Sequence, residues 1–264
     1  MKSALFPALL KHWRHTRGLS QLDLSLAADV SSRHISFLET GRGTPSETMV
    51  LGLANALQVP LREQNRMLIA AGFESRFPEP PVEEVLDDTM GKVIQLMLEN
   101  HDPYPMVVMD WTFNLLNLNR SAALFFSGFI PNLFAGGQRI NVFEAIFDPD
   151  MARPFIQDWH TVARKFLSSL HRMALLNAHD DRLQQLIDKV LSYPDVPEQW
   201  RHPDLSEGAE PALALHLKKG DLELGVITTQ VNFNAPQNVT LEELRIESYL
   251  PLDAETDAFF QNLL

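Results

Sequence analysis

The stretch SQLDLSLAADVSSRHISFLETGRGTPSE, from Ser20 to Glu47, constrains this chain more than any other. Two short apolar-periodic segments meet in it across a tight break. A pair of helices joined so closely must cross at a sharp angle, which needs a small residue at the approach and a turn residue that tolerates unusual backbone angles. Ser25 is the small residue. Asp29 occupies the turn, and Asp visits the left-handed region more readily than most non-glycine residues. Leu24 and Ala28 are expected to anchor the first segment, and Val30, Ile35 and Leu38 the second. The second segment then exposes Ser32, Arg33, Ser36 and Phe37 on one side.

The flanking punctuation extends this reading to five short helices over residues 1–72. Gly18 closes the first helix. Ser20 with Asp23 has the pattern of a capping box for the second, and Ser31 is placed to N-cap the third. Gly41 stands where a left-handed C-cap residue is wanted. Thr44-Pro45-Ser46-Glu47 reads as Thr at the N-cap, Pro at the first helical position and Glu at N3. The fifth helix begins near Pro60 and ends at Gly72.

Charge separates this end from the rest. Formal net charge is −12 over 264 residues, yet residues 1–72 hold 8 Lys+Arg against 5 Asp+Glu, and residues 73–264 hold 14 against 29. The overall balance argues against a nucleic-acid partner for the whole surface. The local balance allows one at the N-terminal end, because fields are screened over roughly 10 Å at ordinary salt. Without Cys, neither disulfides nor thiolate metal sites can form. No apolar run approaches the ~18 residues of a membrane span. Lys11, Arg14 and Arg17 interrupt any targeting h-region in MKSALFPALLKHWRHTRG. The expectation is a soluble, cytoplasmic protein with no membrane partner.

Beyond Gly72, FESRFPEPPVEE places Pro78, Pro80 and Pro81 within four residues, which predicts an extended spacer. A helix is expected from Glu83 to about Glu99. The domains expected are therefore 1–75, a linker and connecting helix over 76–100, and 101–264. MVVMDWTFNLLNLN (Met106–Asn119) reads as a hairpin turning near Asp110–Thr112. Residues 120–191 show helical spacing. ALALHLKKGDLELGVITTQVNF and TLEELRIESYL return to strands. Strands, then helices, then strands predict an α+β domain with one antiparallel sheet behind an all-α N-terminal domain.

The register of Gln21, Leu24, Val30, Ile35, Leu38, Glu39 and Gly41 resembles the helix-turn-helix of the Xre/phage-repressor group of bacterial regulators, over roughly residues 5–72. Two departures stand out: Asp29 where the group usually has Gly, and Leu22 and Leu26 where it usually has polar residues. The leucines leave open a hydrophobic contact on the outer face of the second helix. The resemblance implies that Ser32, Arg33 and Phe37 read base edges in the major groove of double-stranded DNA. Phe37 either packs on a thymine methyl or is partly buried, and the sequence leaves both open. Gln21, Ser36, Arg42 and Thr44 fit phosphate contacts, and His34 fits either role. Arg14 and Glu39 match a pair that forms an intradomain ion pair in relatives.

The second part has a resemblance of its own. HDPYPMVVMDWTFNLLNLNRSAALFF, NVFEAIFDPDMARPFIQDWHTVARKFL, PEQW before His202-Pro203, and LHLKKGDLELGVITTQVNFNAPQNVTLEELRIESYLP occur in an order that looks like the ligand-binding domain of MmyB-like transcription regulators. This resemblance implies a PAS-like fold, a five-stranded antiparallel sheet with helices against one face, and a pocket for a small apolar ligand such as a fatty acid. Trp111, Phe125 and Phe126 are candidate walls, and Asn117, Arg120 and His216 candidate holders of a carboxylate head. The residues themselves show only many large apolar side chains, which an ordinary core also needs.

No catalytic reading emerges. The 9 His are scattered, with no H-E-x-x-H spacing, and His160, His171 and His179 suit half-buried or solvated helix positions. Asp87-Asp88 and Asp180-Asp181 are explained by capping or solvation. The sequence has no G-x-S-x-G, P-loop or dinucleotide fingerprint. No cofactor is expected, unless a fatty acid or similar apolar molecule counts as one. The expectation is a non-enzymatic, DNA-binding, ligand-sensing homodimer. A protein-binding or antitoxin-like module is the alternative, and an enzyme with an appended helix-turn-helix a third.

Overall fold

A computed structural model describes residues 5–130, 133, 139–176, 181–202, 214–233, 236 and 238–264. His179, Asp180 and Pro203 lie outside the described residues. The chain forms two compact units: residues up to Val85 together with Phe233–Glu242, and Leu86–Asn232 together with Glu243–Leu264.

The first unit is helical: α1 (Leu5–Thr16), α2 (Gln21–Ala27), α3 (Ser32–Glu39), α4 (Glu47–Ala56) and α5 (Leu61–Ala71), with most of α6 (Val82–Asp87). Local chemistry sets the boundaries. The Ser20 hydroxyl accepts from the Asp23 amide and Asp23 answers with the Ser20 amide, a complete capping box. Ser31 accepts from the His34 amide at 3.2 Å. Asp29 adopts φ +52 in the turn. At α4 the cap is Ser46, not Thr44: Ser46 is extended and accepts from the Met49 amide at 3.2 Å, so Pro45 lies outside the helix. Leu10, Trp13, Leu24, Ile35, Leu38, Leu53 and Met67 are buried at their centre, each side chain contributing about 1.5–3 kcal/mol by leaving water.

The expected spacer is tied down. The Asn65 carboxamide accepts from the Arg76 and Phe77 amides at 2.9 and 3.0 Å and donates to the Phe77 carbonyl at 2.8 Å. Arg62 pairs with Glu79 at 2.6 Å. A second chain segment returns to this unit. Glu242 accepts from the Leu61 amide at 2.7 Å, at the start of α5, where Pro60 offers no side-chain cap. The Thr240 hydroxyl donates to the Pro80 carbonyl at 2.5 Å, and the Val239 amide to the Pro78 carbonyl at 2.9 Å.

The second unit begins with α7 (Thr89–His101). The single helix expected over Glu83–Glu99 is two helices, because the backbone turns at Asp88. A Cβ on Gly91 would stand 1.7 Å from the Leu86 carbonyl oxygen, so only glycine fits that approach. The remaining elements are β1 (Met106–Met109), β2 (Leu115–Leu118), α8 (Arg120–Ser127), α9 (Val142–Phe147), α10 (Trp159–Leu176), α11 (Asp181–Val190), β3 (Ala214–Lys219), β4 (Leu222–Val231), α12 (Val239–Glu243), β5 (Arg245–Pro251) and α13 (Ala254–Gln261). In the stretch TLEELRIESYL only the second half is a strand, since α12 takes the first.

The five strands form one antiparallel sheet in the order β2-β1-β5-β4-β3. Directly opposed residues share a face. Val107 opposes Glu247, which opposes Gln230, while Tyr249 opposes Thr228. Leu215 opposes Val226, and Leu217 opposes Leu224. That face carries Val107, Leu217, Leu224, Val226 and Tyr249 into the main core with Phe125, Phe143, Phe147 and Leu167. The domain is α+β, as its strand–helix–strand order predicts.

Candidate functional site

The surface around α3 is built outward from a fixed interior. Ile35 and Leu38 are fully buried, which turns Ser32 and Arg33 to solvent and leaves His34, Ser36 and Phe37 partly covered. The Arg33 guanidinium lies 5.2 Å from the centre of the Phe37 ring. That stacking holds the cation on the outer side of the helix. After α3, Gly41 takes φ +70, and the chain exposes Arg42 and Thr44. One helix thus presents a cation, hydroxyls and an aromatic edge, with a second cation in the loop beyond it.

Behind this surface Arg14 grips Glu39 with two parallel bonds, Nε to Oε1 at 2.6 Å and Nη2 to Oε2 at 3.0 Å. The two side chains are 9% and 3% exposed. Arg14 also donates to the Leu19 carbonyl at 2.8 Å, and the Gln21 amide donates to Glu39 Oε2 at 2.8 Å. Burial pushes the Glu39 carboxyl up, but the Arg14 and Gln21 hydrogen bonds and the Arg14 charge together hold it below its ordinary value of 4.5. Gln21 therefore spends one amide hydrogen inside the domain and keeps the other. On the outer face of α2, Leu22 and Leu26 are 60% and 75% exposed.

The sheet unit contains an apolar cavity of about 70 Å³. Its floor is Val107, Leu215, Leu217, Thr228, Glu247 and Tyr249, and its helical side includes Phe126, Phe129, Ile146 and Phe166. The volume is well below the roughly 300–1,000 Å³ of pockets that take drug-sized ligands. Among the described lining residues only Thr228, Glu247 and Tyr249 have polar side chains. Burial raises the Glu247 carboxyl to about 7, against the partial pull of Tyr249 and Arg245. Burial likewise raises the Tyr249 phenol.

Of the six residues that the sequence put at a pocket, Phe126 lines this cavity. Phe125 is buried one layer away, its ring 5.0 Å from Phe126 and 5.4 Å from Phe260. Trp111 packs against the Arg245 guanidinium at 4.7 Å. Arg120 and His216 are exposed, and Asn117 faces Gln95 at 3.4 Å. His216 points away from the cavity because strand alternation gives that face to Leu215 and Leu217. Glu247 and Tyr249, which do line the cavity, are not among those six. Alternation in RIESYL places Arg245, Glu247 and Tyr249 together, but nothing local says which face looks inward.

Among the described residues no group of three or more His, Asp and Glu could hold a metal ion, and no helix is long and apolar enough to cross a membrane. A family model described as MmyB-like transcription regulator ligand binding domain matches residues 90–263. A helix-turn-helix model matches residues 10–64. No curated protein matches the chain.

Proposed function

The chain belongs to the MmyB-like transcription regulators, and from that premise we propose a DNA reader whose sheet unit senses a small apolar molecule. The observation that carries the reading is α3: Arg33 stands exposed beside Phe37, anchored by Ile35 and Leu38, within residues 1–72, which hold 8 Lys+Arg against 5 Asp+Glu. Ser32, Arg33 and Phe37 read base edges, with Arg33 bidentate to a guanine. Gln21, His34, Ser36, Arg42 and Thr44 engage phosphates and set the register. As a homodimer the protein would take two half-sites about one helical turn, roughly 34 Å, apart. The working part is recognition, with no catalytic step and no cofactor.

On the ligand side, a fatty acid is the class that the family resemblance suggests. The cavity as it stands holds only part of such a chain, so a long tail would enter by displacing Phe126 and its neighbours. The segment Phe233–Glu242 joins β4 to β5 and is built into the DNA-reading unit, while both strands line the cavity through Thr228, Glu247 and Tyr249. A ligand that shifts these strands therefore acts on a segment that α5 shares. The coupling equals the ligand's differential affinity for the two arrangements, about 1–3 kcal/mol.

The test is binding to a randomised operator library, with and without tetradecanoate. Selection of one motif, lost at one base pair per half-site in Arg33→Ala, supports the reading. A wild-type protein that selects no sequence sinks it. Leu22 and Leu26 favour a second reading, in which the outer face of α2 meets a protein. A Leu26→Glu variant that keeps DNA affinity but no longer regulates a promoter would establish that contact.

A further inference from the structure

Resting on the reading of the sheet unit as a ligand sensor, we propose that Arg245 anchors the head group of its ligand, and that this head is a carboxylate. Arg245 is 9% exposed. It stands two residues from Glu247 on the same face of β5, about 7 Å along the strand from a residue that lines the cavity. Its guanidinium lies 4.7 Å from the centre of the Trp111 ring and 4.6 Å from that of Phe113. Its hydrogen bonds are long and go to neutral acceptors: Nη1 donates to the Gln230 carboxamide oxygen at 3.3 Å, and Nη2 to the Met173 sulfur at 3.5 Å. Nε is buried and has no acceptor among the described residues.

A buried charge ordinarily has a counter-charge paired to it, and Arg245 forms no ion pair with any described residue. Burial lowers its pKa, and the attraction of Glu247, Asp110 and Glu243 only partly opposes this. All three carboxylates are engaged elsewhere. Glu247 accepts from the Tyr249 hydroxyl. Asp110 accepts from Thr112 and Asn114 at 2.8–3.0 Å, and Glu243 pairs with Arg182 at 3.6 Å. The open donors are therefore Nε and the weakly bonded Nη2, the same edge by which Arg14 grips Glu39. That edge matches one carboxylate with two parallel bonds. Binding there displaces only the Met173 sulfur, a weak acceptor on an adaptable side chain. Glu247 does not oppose such a head below neutrality, because burial keeps its proton on up to about 7. Apolar rings lead from the head to the cavity: Phe113 packs on Phe143 at 4.6 Å, and Phe143 at 5.6 Å on Phe166, which lines it.

The matched probes are decanoate and decanol, which share a tail and differ in the head, titrated into the full-length protein at pH 6. Decanoate should bind at least tenfold tighter than decanol. Arg245→Met should erase that preference and leave decanol affinity within twofold of wild type. Arg245→Lys, which keeps the charge and loses the fork, should keep part of it. A readout on the wild-type protein stands apart from the folding of either variant. With isotope-labelled arginine, the Nε–H resonance of Arg245, identified by its loss in Arg245→Lys, should shift with decanoate and hold still with decanol. Decanol as tight as decanoate overturns the proposal and leaves the sensor reading intact. A preference that survives Arg245→Met, or a resonance that ignores bound decanoate, does the same. If neither probe binds, both fail.

Discussion

Glu39 in the helical unit and Glu247 in the sheet unit are both largely enclosed carboxylates, and the two are treated in opposite ways. In the helical unit Glu39 accepts from Arg14 twice and from Gln21 once, at 2.6–3.0 Å, and its pKa falls. In the sheet unit Glu247 faces an apolar cavity, and its pKa rises to about 7. The first arrangement ties three chain segments together through a bidentate guanidinium and one amide. The second keeps a costly group beside empty space. A carboxylate gripped by a guanidinium reads as architecture, whereas one held by a single phenol hydroxyl at a cavity wall reads as a candidate site.

The sharpest break of this contrast is Glu39→Ala. It strands Arg14 in a nearly closed position, and removing one partner of a buried pair costs about 3–5 kcal/mol. Urea or thermal melting of the full chain should show the helical unit unfolding early. An unchanged melt would mean that Glu39 and Arg14 are not the strut that their geometry indicates.

Next comes pH, where the two carboxylates carry opposite signs. Glu247 is raised, so its folded form holds a proton that the unfolded chain loses near 4.5. The sheet unit's stability is full below that value and falls as pH climbs through about 7, by on the order of 2–3 kcal/mol. Glu39 is lowered, so its contribution is present above 4.5 and disappears as pH drops through its depressed value. Melting followed by hydrogen exchange in each unit between pH 2 and 8 separates the two. Glu247→Gln should flatten the upper slope alone, and a slope that survives this change would reassign it.

A smaller effect tests the reading surface. Arg33→Ala should cost about 1–3 kcal/mol of DNA affinity and relax one base position. Arg42→Ala should weaken all sequences alike and reduce the salt slope by about 1. Equal profiles for the two variants would remove Arg33 from base reading. The smallest concerns Asp29, at φ +52. Asp29→Gly should relieve left-handed strain and stabilise the helical unit by up to about 1 kcal/mol, with DNA affinity unchanged. Destabilisation in the melt would show that the Asp side chain supports the turn.

The helical unit was far more legible than the sheet unit, for a reason visible residue by residue. Its start and turn signals act over three or four residues: Ser20 with Asp23, Ser31 with His34, Asp29 in the turn. The slip at Thr44 was equally local, because Ser46 competes for the same cap two positions on. In the sheet unit the strands and helices were readable from periodicity, but His216 and Arg120 attracted attention as polar groups near apolar runs, and both stand in solvent. The groups at the cavity, Glu247 and Tyr249, sit in a strand whose two faces look alike in sequence.

Sequence by itself determined the helix-turn-helix, its caps at Ser20 and Ser31, its exposed Arg33 and the α+β character of the rest, since these follow from hydrogen bonds and apolar spacing within one element. Only the tertiary structure decided that RIESYL turns Glu247 inward, that the cavity is about 70 Å³, and that Phe233–Glu242 returns to the first unit. Those outcomes depend on strand register and on contacts between residues more than a hundred positions apart, as Glu242 and Leu61 are. No short window of sequence records which distant partner will close over a given face.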